Sequence, residues 1–261
     1  MIKFSFTNKK QQKAPNIDLY DKRRRFRCLS DDSPFAIKEA YNALRANLLY
    51  MGDSENCPVI AVTSAEPNEG KTLNAVNTAI AFAHMGKRVL LIDGDMRNSS
   101  IPKYIELKNK NGLSEYLAGL CPEPEIQQTP IEGLCVLTAG RTPPNPSELL
   151  YSEGMSVLLE KARAAFDIVF IDTPPVNVVS DSLSLANKVK GYLLVVRAGE
   201  SEKPSIKQVV EKLNAVNGRV LGFVLNDVNP KTAGVKGAYG KYGKYGKYSK
   251  YSKYSKYGGD T

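Results

Sequence analysis

The 261-residue sequence contains no tryptophan and one histidine, and its four cysteines are scattered without a CxxC pair. Structural zinc sites and disulfide frameworks need clustered or paired ligands, so we expect neither, and the cysteine pattern favours a reducing cytosol. The histidine, His84, lies beside alanine and methionine at the end of a predicted helix. We therefore expect a packed or capping histidine rather than a catalytic one.

Long hydrophobic runs are also missing. No apolar stretch approaches the ~20 residues needed to span a bilayer, and the N-terminus lacks a hydrophobic signal region. We therefore expect any attachment to a membrane to be peripheral or to depend on a partner.

The net charge of +9 is concentrated at the two ends of the chain. Residues 1–27 hold nine Lys or Arg against two Asp, and residues 231–261 hold eight Lys against one Asp, so each end is +7 and the middle is −5. A nucleic-acid-binding domain should have a basic face of its own, so nucleic acid is not an expected partner. We divide the chain into a basic arm (1–32), a globular domain (33–230) and a tail (231–261).

A tyrosine occupies every third position of the tail, with Gly or Ser and then Lys between successive tyrosines. This repeat has no aliphatic side chain to bury, so it cannot offset its conformational entropy, and we predict a disordered segment. Regularly spaced phenols suggest a substrate, whereas Lys and Tyr together also suit single-stranded nucleic acid or general solubility. The seven tyrosines are Tyr239, Tyr242, Tyr245, Tyr248, Tyr251, Tyr254 and Tyr257.

The middle of the chain alternates short apolar strands with longer amphipathic stretches. Such strands, apolar on both faces, indicate an α/β fold with a mainly parallel sheet flanked by helices on both faces. A helix is also predicted before the first strand, with a capping side chain and a proline in its first turn at Asp32-Ser33-Pro34. Its predicted buried face is Ile37, Ala40, Tyr41, Leu44 and Leu48. The predicted strands are 59–64, 88–95, 134–140, 167–175, 191–199 and 219–227.

A glycine-containing loop, AEPNEGKT, follows the first strand and precedes a predicted helix, residues 73–85. Strand, loop and helix in this order are typical of a phosphate-binding loop, whose backbone N–H groups and helix dipole hold phosphates. Ala65 replaces the usual first glycine, and Asn68 tolerates a left-handed turn better than most residues. The predicted nucleotide-binding residues are Glu66, Pro67, Asn68, Glu69, Gly70, Lys71, Thr72 and Leu73.

Carboxylates follow two of the other strands. LLIDGD ends with Asp93 and Asp95, and VFIDTPP contains Asp172. Ligands of parallel sheets bind at the carboxyl ends of the strands, so these side chains should face the phosphates. A nucleotide bound with Mg²⁺ needs carboxylates there, and the combination predicts an ATP–Mg²⁺ site.

TSAEPNEGKT, LLIDGDMR, IVFIDTPP and the tyrosine cluster together resemble the bacterial tyrosine kinases of capsule and exopolysaccharide assembly, from about residue 34 onwards. These motifs correspond to that family's Walker A, Walker A′ and Walker B. The resemblance implies a P-loop NTPase-like fold and an ATP-dependent protein-tyrosine kinase in residues 33–230. It also implies autophosphorylation in trans of the tail tyrosines.

The same resemblance implies roles for individual residues. Lys71 would bind the phosphates, Thr72 and Asp172 would hold Mg²⁺, and Asp95 would support the metal. Asp93 would be the base that accepts the tyrosine proton, because a phenol of pKa ~10 is a poor nucleophile at neutral pH.

The resemblance further implies partners and a location. Relatives of this length lack a membrane hairpin, which implies a separate membrane-embedded modulator and a cytoplasmic protein held at the inner face of the cell membrane. The resemblance also implies a cognate tyrosine phosphatase. It also implies a ring-shaped homo-oligomer built through a Glu-x-x-Arg-x-x-Arg helix. This chain has Glu39, Asn42 and Arg45, so the middle arginine is missing, which weighs against the ring.

Two other functions fit the nucleotide motifs. Switch ATPases of the partitioning and cell-division-site type share the Walker A′ motif, but they begin the loop with a lysine where this chain has Glu66. A glutamate cannot stabilise phosphate charge as that lysine does. A nonenzymatic nucleotide-binding scaffold is the other alternative, and the full set of Lys71, Asp93, Asp95 and Asp172 argues against it.

Overall fold

Among residues 28–51 and 57–228, seven strands form one sheet. The computed structural model describes residues 28–51 and 57–228, so residues 1–27 and the tail with its seven tyrosines lie outside the described chain. The strands are β1 Val59–Ser64, β2 Val89–Asp93, β3 Gln127–Gln128, β4 Leu134–Leu137, β5 Ile168–Asp172, β6 Gly191–Arg197 and β7 Val220–Asn226. Their order in the sheet is β3-β4-β2-β5-β1-β6-β7. The α-helices are α1 Phe35–Tyr50, α2 Lys71–Ala83, α3 Leu113–Leu117, α4 Pro146–Tyr151, α5 Glu153–Ala165 and α6 Lys203–Ala215.

Six of the seven strands are parallel, which confirms the predicted architecture. The exception, β3, pairs antiparallel with the edge of β4 and was not predicted. It consists of two glutamines with no apolar pattern, so its hydrogen bonds to β4 and not its hydrophobicity define it. The predicted strands also ran past the true ends, since β2 ends at Asp93 and β5 at Asp172.

Helices cover both faces of the sheet. On one face, α2 is almost entirely buried, and α1 packs beside it through Tyr41, Leu44 and Leu48. On the other face, side chains of α5 pack beneath the middle strands, and Val209 and Leu213 of α6 pack beneath β1 and β6. Alternate residues of each central strand point to opposite cores, which explains why these strands are apolar throughout.

Helix α1 differs from its prediction in two respects. Pro34 itself occupies the N-cap position, and the Ser33 hydroxyl accepts a hydrogen bond from the N–H of Ser30. The predicted apolar face is also only partly correct, because Ile37 is 44% exposed and Ala40 is exposed. The core contacts of the helix begin at Tyr41, so the residues before it, Ile37 and Ala40 included, do not reach the core.

Helix α2 begins at Lys71, two residues before the prediction, and ends at Ala83. His84 is its exposed C-cap residue, as the capping alternative predicted, and Gly86 then turns the chain with a φ of 81°. Before α1, Cys28 and Leu29 are already buried in the core, although the predicted arm extended to residue 32. Within residues 28–51 and 57–228, no helix is long and apolar enough to cross a bilayer.

Candidate active site

The loop between β1 and α2 has the backbone of a phosphate-binding loop. Gly70, the N-cap of α2, has a φ of 92°, and Asn68 has a φ of 65°, so the left-handed turn expected of Asn68 is present. A side chain at Gly70 would strain the backbone, and its Cβ would lie 2.1 Å from the amide nitrogen of Asn226. Both glycine properties, the positive φ and the small size, are therefore used at this position.

Glu69 holds this loop in shape. Its carboxylate is buried, and its Oε2 accepts hydrogen bonds from the N–H groups of Ala65 at 2.8 Å and Glu66 at 3.0 Å. Its other oxygen accepts a hydrogen bond from the Ser201 hydroxyl, in the turn after β6. The Asn226 amide donates to the backbone oxygen of Glu69 at 3.0 Å. The loop is thus tied to two strands that come much later in the sequence.

Lys71, at the start of α2, points towards two carboxylates. Its Nζ lies 2.8 Å from Asp95 Oδ2 and 3.9 Å from Asp172 Oδ1. Burial would lower the pKa of Lys71, but the two nearby carboxylates outweigh burial and raise it, so the side chain stays a cation. The Thr72 hydroxyl donates to Asp172 Oδ2 at 2.6 Å. The structure therefore brings together Lys71, Thr72, Asp95 and Asp172 as the motifs predicted.

Strand register explains how the aspartates meet. Asp93 and Asp172 are direct partners in the β2–β5 ladder, and Val62 of β1 pairs with Asp172 on the other side. The phosphate loop begins just after β1, so all three strands deliver their last residues to the same edge. Gly94 lies between the two aspartates of the first motif, and its N–H donates to the backbone oxygen of Asp172 at 2.8 Å.

Asp93 is completely buried, and only one of its oxygens is engaged. Oδ2 accepts hydrogen bonds from the Ser99 hydroxyl at 2.8 Å and the Ile101 N–H at 3.3 Å. Oδ1 receives none from the described residues, and the same is true of Asp172 Oδ1. Burial, and then the charge of Asp172, raise the pKa of Asp93 to about 7. Such a carboxylate can exchange a proton near neutral pH.

Asp172 is also completely buried, at the end of β5. Burial raises its pKa to about 6, and the charge of Lys71 with the hydrogen bond from Thr72 limits the rise. Among residues 28–51 and 57–228, no three His, Cys, Asp or Glu side chains form a cluster that could hold a metal ion by themselves. The site instead offers carboxylate oxygens of Asp95 and Asp172 and the Thr72 hydroxyl, beside the positive charge of Lys71.

Some supporting residues of this site were not predicted from the sequence. Ser99 contacts Asp93, Arg97 pairs with Asp181 through two hydrogen bonds, and Ser201 and Asn226 hold the phosphate loop. The arginine and Ser99 lie within six residues of Asp93, so the motif itself was a signal for them. Nothing in the local sequence marks Ser201 or Asn226, because they reach the loop only through the fold.

The helix predicted to mediate assembly uses its polar residues within the chain. The Asn42 amide donates to Glu39 Oε1 at 2.9 Å, one turn away. Arg45 donates to the backbone oxygen of Ala81 at 2.8 Å, near the end of α2. Arg45 is therefore bound to α2 and is not simply solvated.

Comparison with known proteins identifies the family. A family model described as the CobQ/CobB/MinD/ParA nucleotide binding domain matches residues 60–242. Over 194 residues the chain is 39% identical to the tyrosine-protein kinase CpsD of Streptococcus pneumoniae serotype 4, covering 74% of this chain and 85% of that one. The chain belongs to the bacterial tyrosine kinases. This kinase also matches the kinase domain of the Escherichia coli tyrosine kinase ETK with a TM-score of 0.71 and 35% identity, covering 82% of this chain and 88% of that one.

The rival switch ATPases are distant relations of this kinase. The septum site-determining protein MinD of Pyrococcus horikoshii, solved with Mg-ADP, matches with a TM-score of 0.56 and 22% identity, covering 68% of this chain and 76% of that one. That likeness shows a shared fold. Glu66, at the position where the rival class has a lysine, accepts a hydrogen bond from the Asn177 amide at 3.2 Å. The tyrosine kinase assignment therefore stands over the switch ATPase and the nonenzymatic scaffold.

Proposed function

We propose that this kinase transfers the γ-phosphate of ATP to its own tail tyrosines, Tyr239 to Tyr257, in trans between copies of the chain. The observation that supports this proposal best is the meeting of Lys71, Thr72 and three aspartates at one edge of the sheet. Lys71 supplies a fixed positive charge for the phosphates, and the amides at the start of α2 supply N–H donors.

Mg²⁺ would be held by Thr72, Asp172 and Asp95. The free oxygen of Asp172, buried and close to the Thr72 hydroxyl, fits an ion that prefers oxygen ligands and takes the rest from water and phosphate. When bound, Mg²⁺ neutralises the charge of the phosphate oxygens. Lys71 contacts Asp95 and lies near Asp172, so its positive charge is held beside the residues that would bind the metal.

Asp93 would be the general base. Its free Oδ1 accepts the phenol proton, the phenol oxygen bonds to the γ-phosphorus, and the bond to the bridging oxygen of ADP breaks, with ADP keeping the electron pair. A carboxylate with its pKa raised to about 7 is better matched to a phenol than an ordinary aspartate is. This role requires the substrate to displace whatever covers Asp93, since the residue is completely buried.

The location and partners form a further part of the proposal. We place the kinase in the cytoplasm at the inner face of the membrane, recruited by a membrane-embedded modulator, acting in capsule or exopolysaccharide synthesis and reversed by a cognate tyrosine phosphatase. The basic arm within residues 1–27 supports this, because clusters of Lys and Arg are attracted to anionic lipid. Removing residues 1–27 should then reduce vesicle binding and activation by the modulator.

Mass spectrometry of the intact protein tests the central proposal. Incubation with ATP and Mg²⁺ should add several phosphates to the wild-type protein between Tyr239 and Tyr257. The Lys71→Met protein should gain none. Exchange of the exposed Lys87 for Met is the matched control and should leave the reaction unchanged. Phosphate confined to Ser or Thr, or equal labelling of the Lys71→Met protein, would overturn the assignment.

Two further experiments, one with a mixture of variants and one with single variants, separate the finer roles. In the first, Lys71→Met with an intact tail is mixed with a variant carrying Phe at all seven tail tyrosines, and phosphate on the Lys71→Met copy demonstrates transfer in trans. In the second test, Asp93→Asn should lose transfer and keep Mg-nucleotide binding, whereas Asp172→Asn should weaken that binding. Equal losses of binding in both variants would mean that the two roles are misassigned.

A further inference from the structure

The segment that follows β2, residues 94–101, holds both aspartates of the LLIDGDMR motif. The N–H of Asn98 donates to Asp95 Oδ1 at 3.0 Å. The Ser99 hydroxyl and the Ile101 N–H then donate to Asp93 Oδ2 at 2.8 and 3.3 Å. Of these three donors, Ser99 alone acts through its side chain, so it can be removed without changing the backbone.

The contacts of Asp93 are unequal. Oδ2 receives both hydrogen bonds, and Oδ1 receives none from the described residues, although the whole side chain is buried. An aspartate carboxyl group rotates readily about its Cβ–Cγ bond, since this torsion is broad. Donors on one oxygen restrict that rotation and leave the other oxygen as the free acceptor. The shorter of the two hydrogen bonds comes from Ser99.

We propose that Ser99 is a positioning residue of the kinase: it holds Oδ2 of Asp93 so that Oδ1 accepts the phenol proton. This inference rests on the proposed role of Asp93 as the base. It adds that the hydroxyl at position 99 determines how often the carboxylate is correctly oriented. Ser99 itself contacts neither phosphate nor phenol in this proposal, and no bond to it forms or breaks.

The expected kinetic signature follows from this role. Ser99→Ala should lower kcat for tail phosphorylation by between about tenfold and hundredfold, the range of a small misplacement of a reacting group. The KM for ATP and the affinity for Mg-ADP should stay unchanged, because Lys71 and Thr72 are untouched. Ser100→Ala is the matched control: the Ser100 hydroxyl donates to the backbone oxygen of Asn98 and makes no contact with Asp93 among its described hydrogen bonds.

A second pair of variants removes the effect of an altered shape. Ser99→Thr keeps the hydroxyl and Ser99→Val replaces it with a methyl group of nearly the same size, so the two proteins differ only in the hydrogen bond. Thr should recover most of the wild-type kcat and Val should not. In the Asp93→Asn background, Ser99→Ala should have no further effect on the residual rate, since the group it positions is gone.

The outcomes distinguish this inference from the proposed function. Equal kcat values for Thr and Val at position 99, or a loss confined to ATP affinity, overturn the role of Ser99. If Asp93→Asn keeps the wild-type kcat, the role of Asp93 fails, and that of Ser99 fails with it. A loss of kcat in Asp93→Asn, in Ser99→Ala and in Ser99→Val, with recovery in Ser99→Thr, supports both.

Discussion

Arg97 and Asp181 form a two-point ion pair that connects the loop after β2 to the segment after β5. Arg97 Nε lies 2.7 Å from Asp181 Oδ2, and Nη2 lies 3.1 Å from Oδ1. Asp181 is completely buried, and it also accepts a hydrogen bond from the Ser147 hydroxyl at the start of α4. The pair thus fixes the loop that carries Asp95 to two other parts of the fold.

Breaking this pair should destabilise the protein. Arg97→Gln leaves a buried carboxylate without its cation, which costs about 3–5 kcal/mol when both partners are buried; we expect roughly 2 kcal/mol, because the Arg97 side chain is 45% exposed. Urea denaturation measures the difference. Arg141→Gln is the control, since Arg141 is 92% exposed and lies 4.0 Å from Glu115. Equal stabilities of the two variants would contradict the prediction.

Removing the carboxylate of Glu69 should open the phosphate loop. Glu69→Ala leaves the N–H groups of Ala65 and Glu66 without their acceptor, at a cost of about 1–3 kcal/mol for a buried donor. Mg-ADP affinity, measured by calorimetry, should fall along with stability. Glu69→Gln keeps an acceptor oxygen, so its Mg-ADP affinity and its stability should lie between those of Glu69→Ala and the wild type. Unchanged affinity in Glu69→Ala would show that the loop holds its shape without this side chain.

Gly94 should tolerate no side chain. A Cβ there would lie 2.9 Å from the backbone oxygen of Asp172 and 2.9 Å from Cγ2 of Ile171, so Gly94→Ala should force the two strand ends apart. Such overpacking costs typically about 1–3 kcal/mol, and nucleotide binding should fall as well. Gly154→Ala in helix α5 is the control, because its nearest neighbour is the Leu117 side chain at 3.4 Å. That variant should be neutral or slightly more stable.

Glu115 should make stability depend on pH in the acid range. Burial alone would raise its pKa, but hydrogen bonds from the Arg141 N–H, the Ser114 hydroxyl and the Gly112 N–H outweigh burial and lower it. A lowered pKa stabilises the fold above the unfolded value of about 4.3 and loses this effect as the pH falls through the folded value. The stability gap between wild type and Glu115→Gln should therefore be full at pH 6 and shrink below pH ~4.3. A gap that stays constant in urea titrations down to pH 3 would contradict this.

Phosphorylation should reverse the charge of the tail. Residues 231–261 carry +7, and each phosphotyrosine adds about −1.5 to −2, so seven would add roughly −10 to −14. A basic tail should be attracted to the acidic middle of a neighbouring copy, and an acidic one repelled. Light scattering of the unmodified and fully phosphorylated protein, at low and high salt, should show a smaller assembly after modification. The same mass in both states would rule out control of assembly by phosphorylation of the tail.

The sequence predicted the central fold well because hydrophobic runs and loop motifs are local. The β1 bounds agree with the prediction, and Lys71, Asp95 and Asp172 meet because parallel strands end at a common edge. The exposure of Ile37 was not predictable in this way, since helical periodicity identifies a face and not the length of core beneath it. Strand β3 was not predicted because its two glutamines have no apolar pattern, and only their pairing with β4 makes them a strand.

The supporting contacts of the site were harder to predict than its motifs. Lys71 and the aspartates are marked by residue type and spacing. Asn226 and Ser201 come late in the sequence of the domain, yet both contact Glu69 of the phosphate loop. An asparagine at the end of a strand has no local sequence pattern that would predict such a contact. Their roles depend on β6 lying beside β1 and β7 lying beside β6, which only the folded order of the strands reveals.

The contact between Asn226 and Glu69 also bears on how the enzyme is made. The two residues are 157 positions apart, yet one completes the loop that the other shapes. A ribosome synthesises the loop early and the strand that carries Asn226 near the end, so the finished loop must wait for almost the whole domain to emerge. A nascent chain should consequently acquire a complete nucleotide pocket only when its tyrosine-rich end is itself being translated.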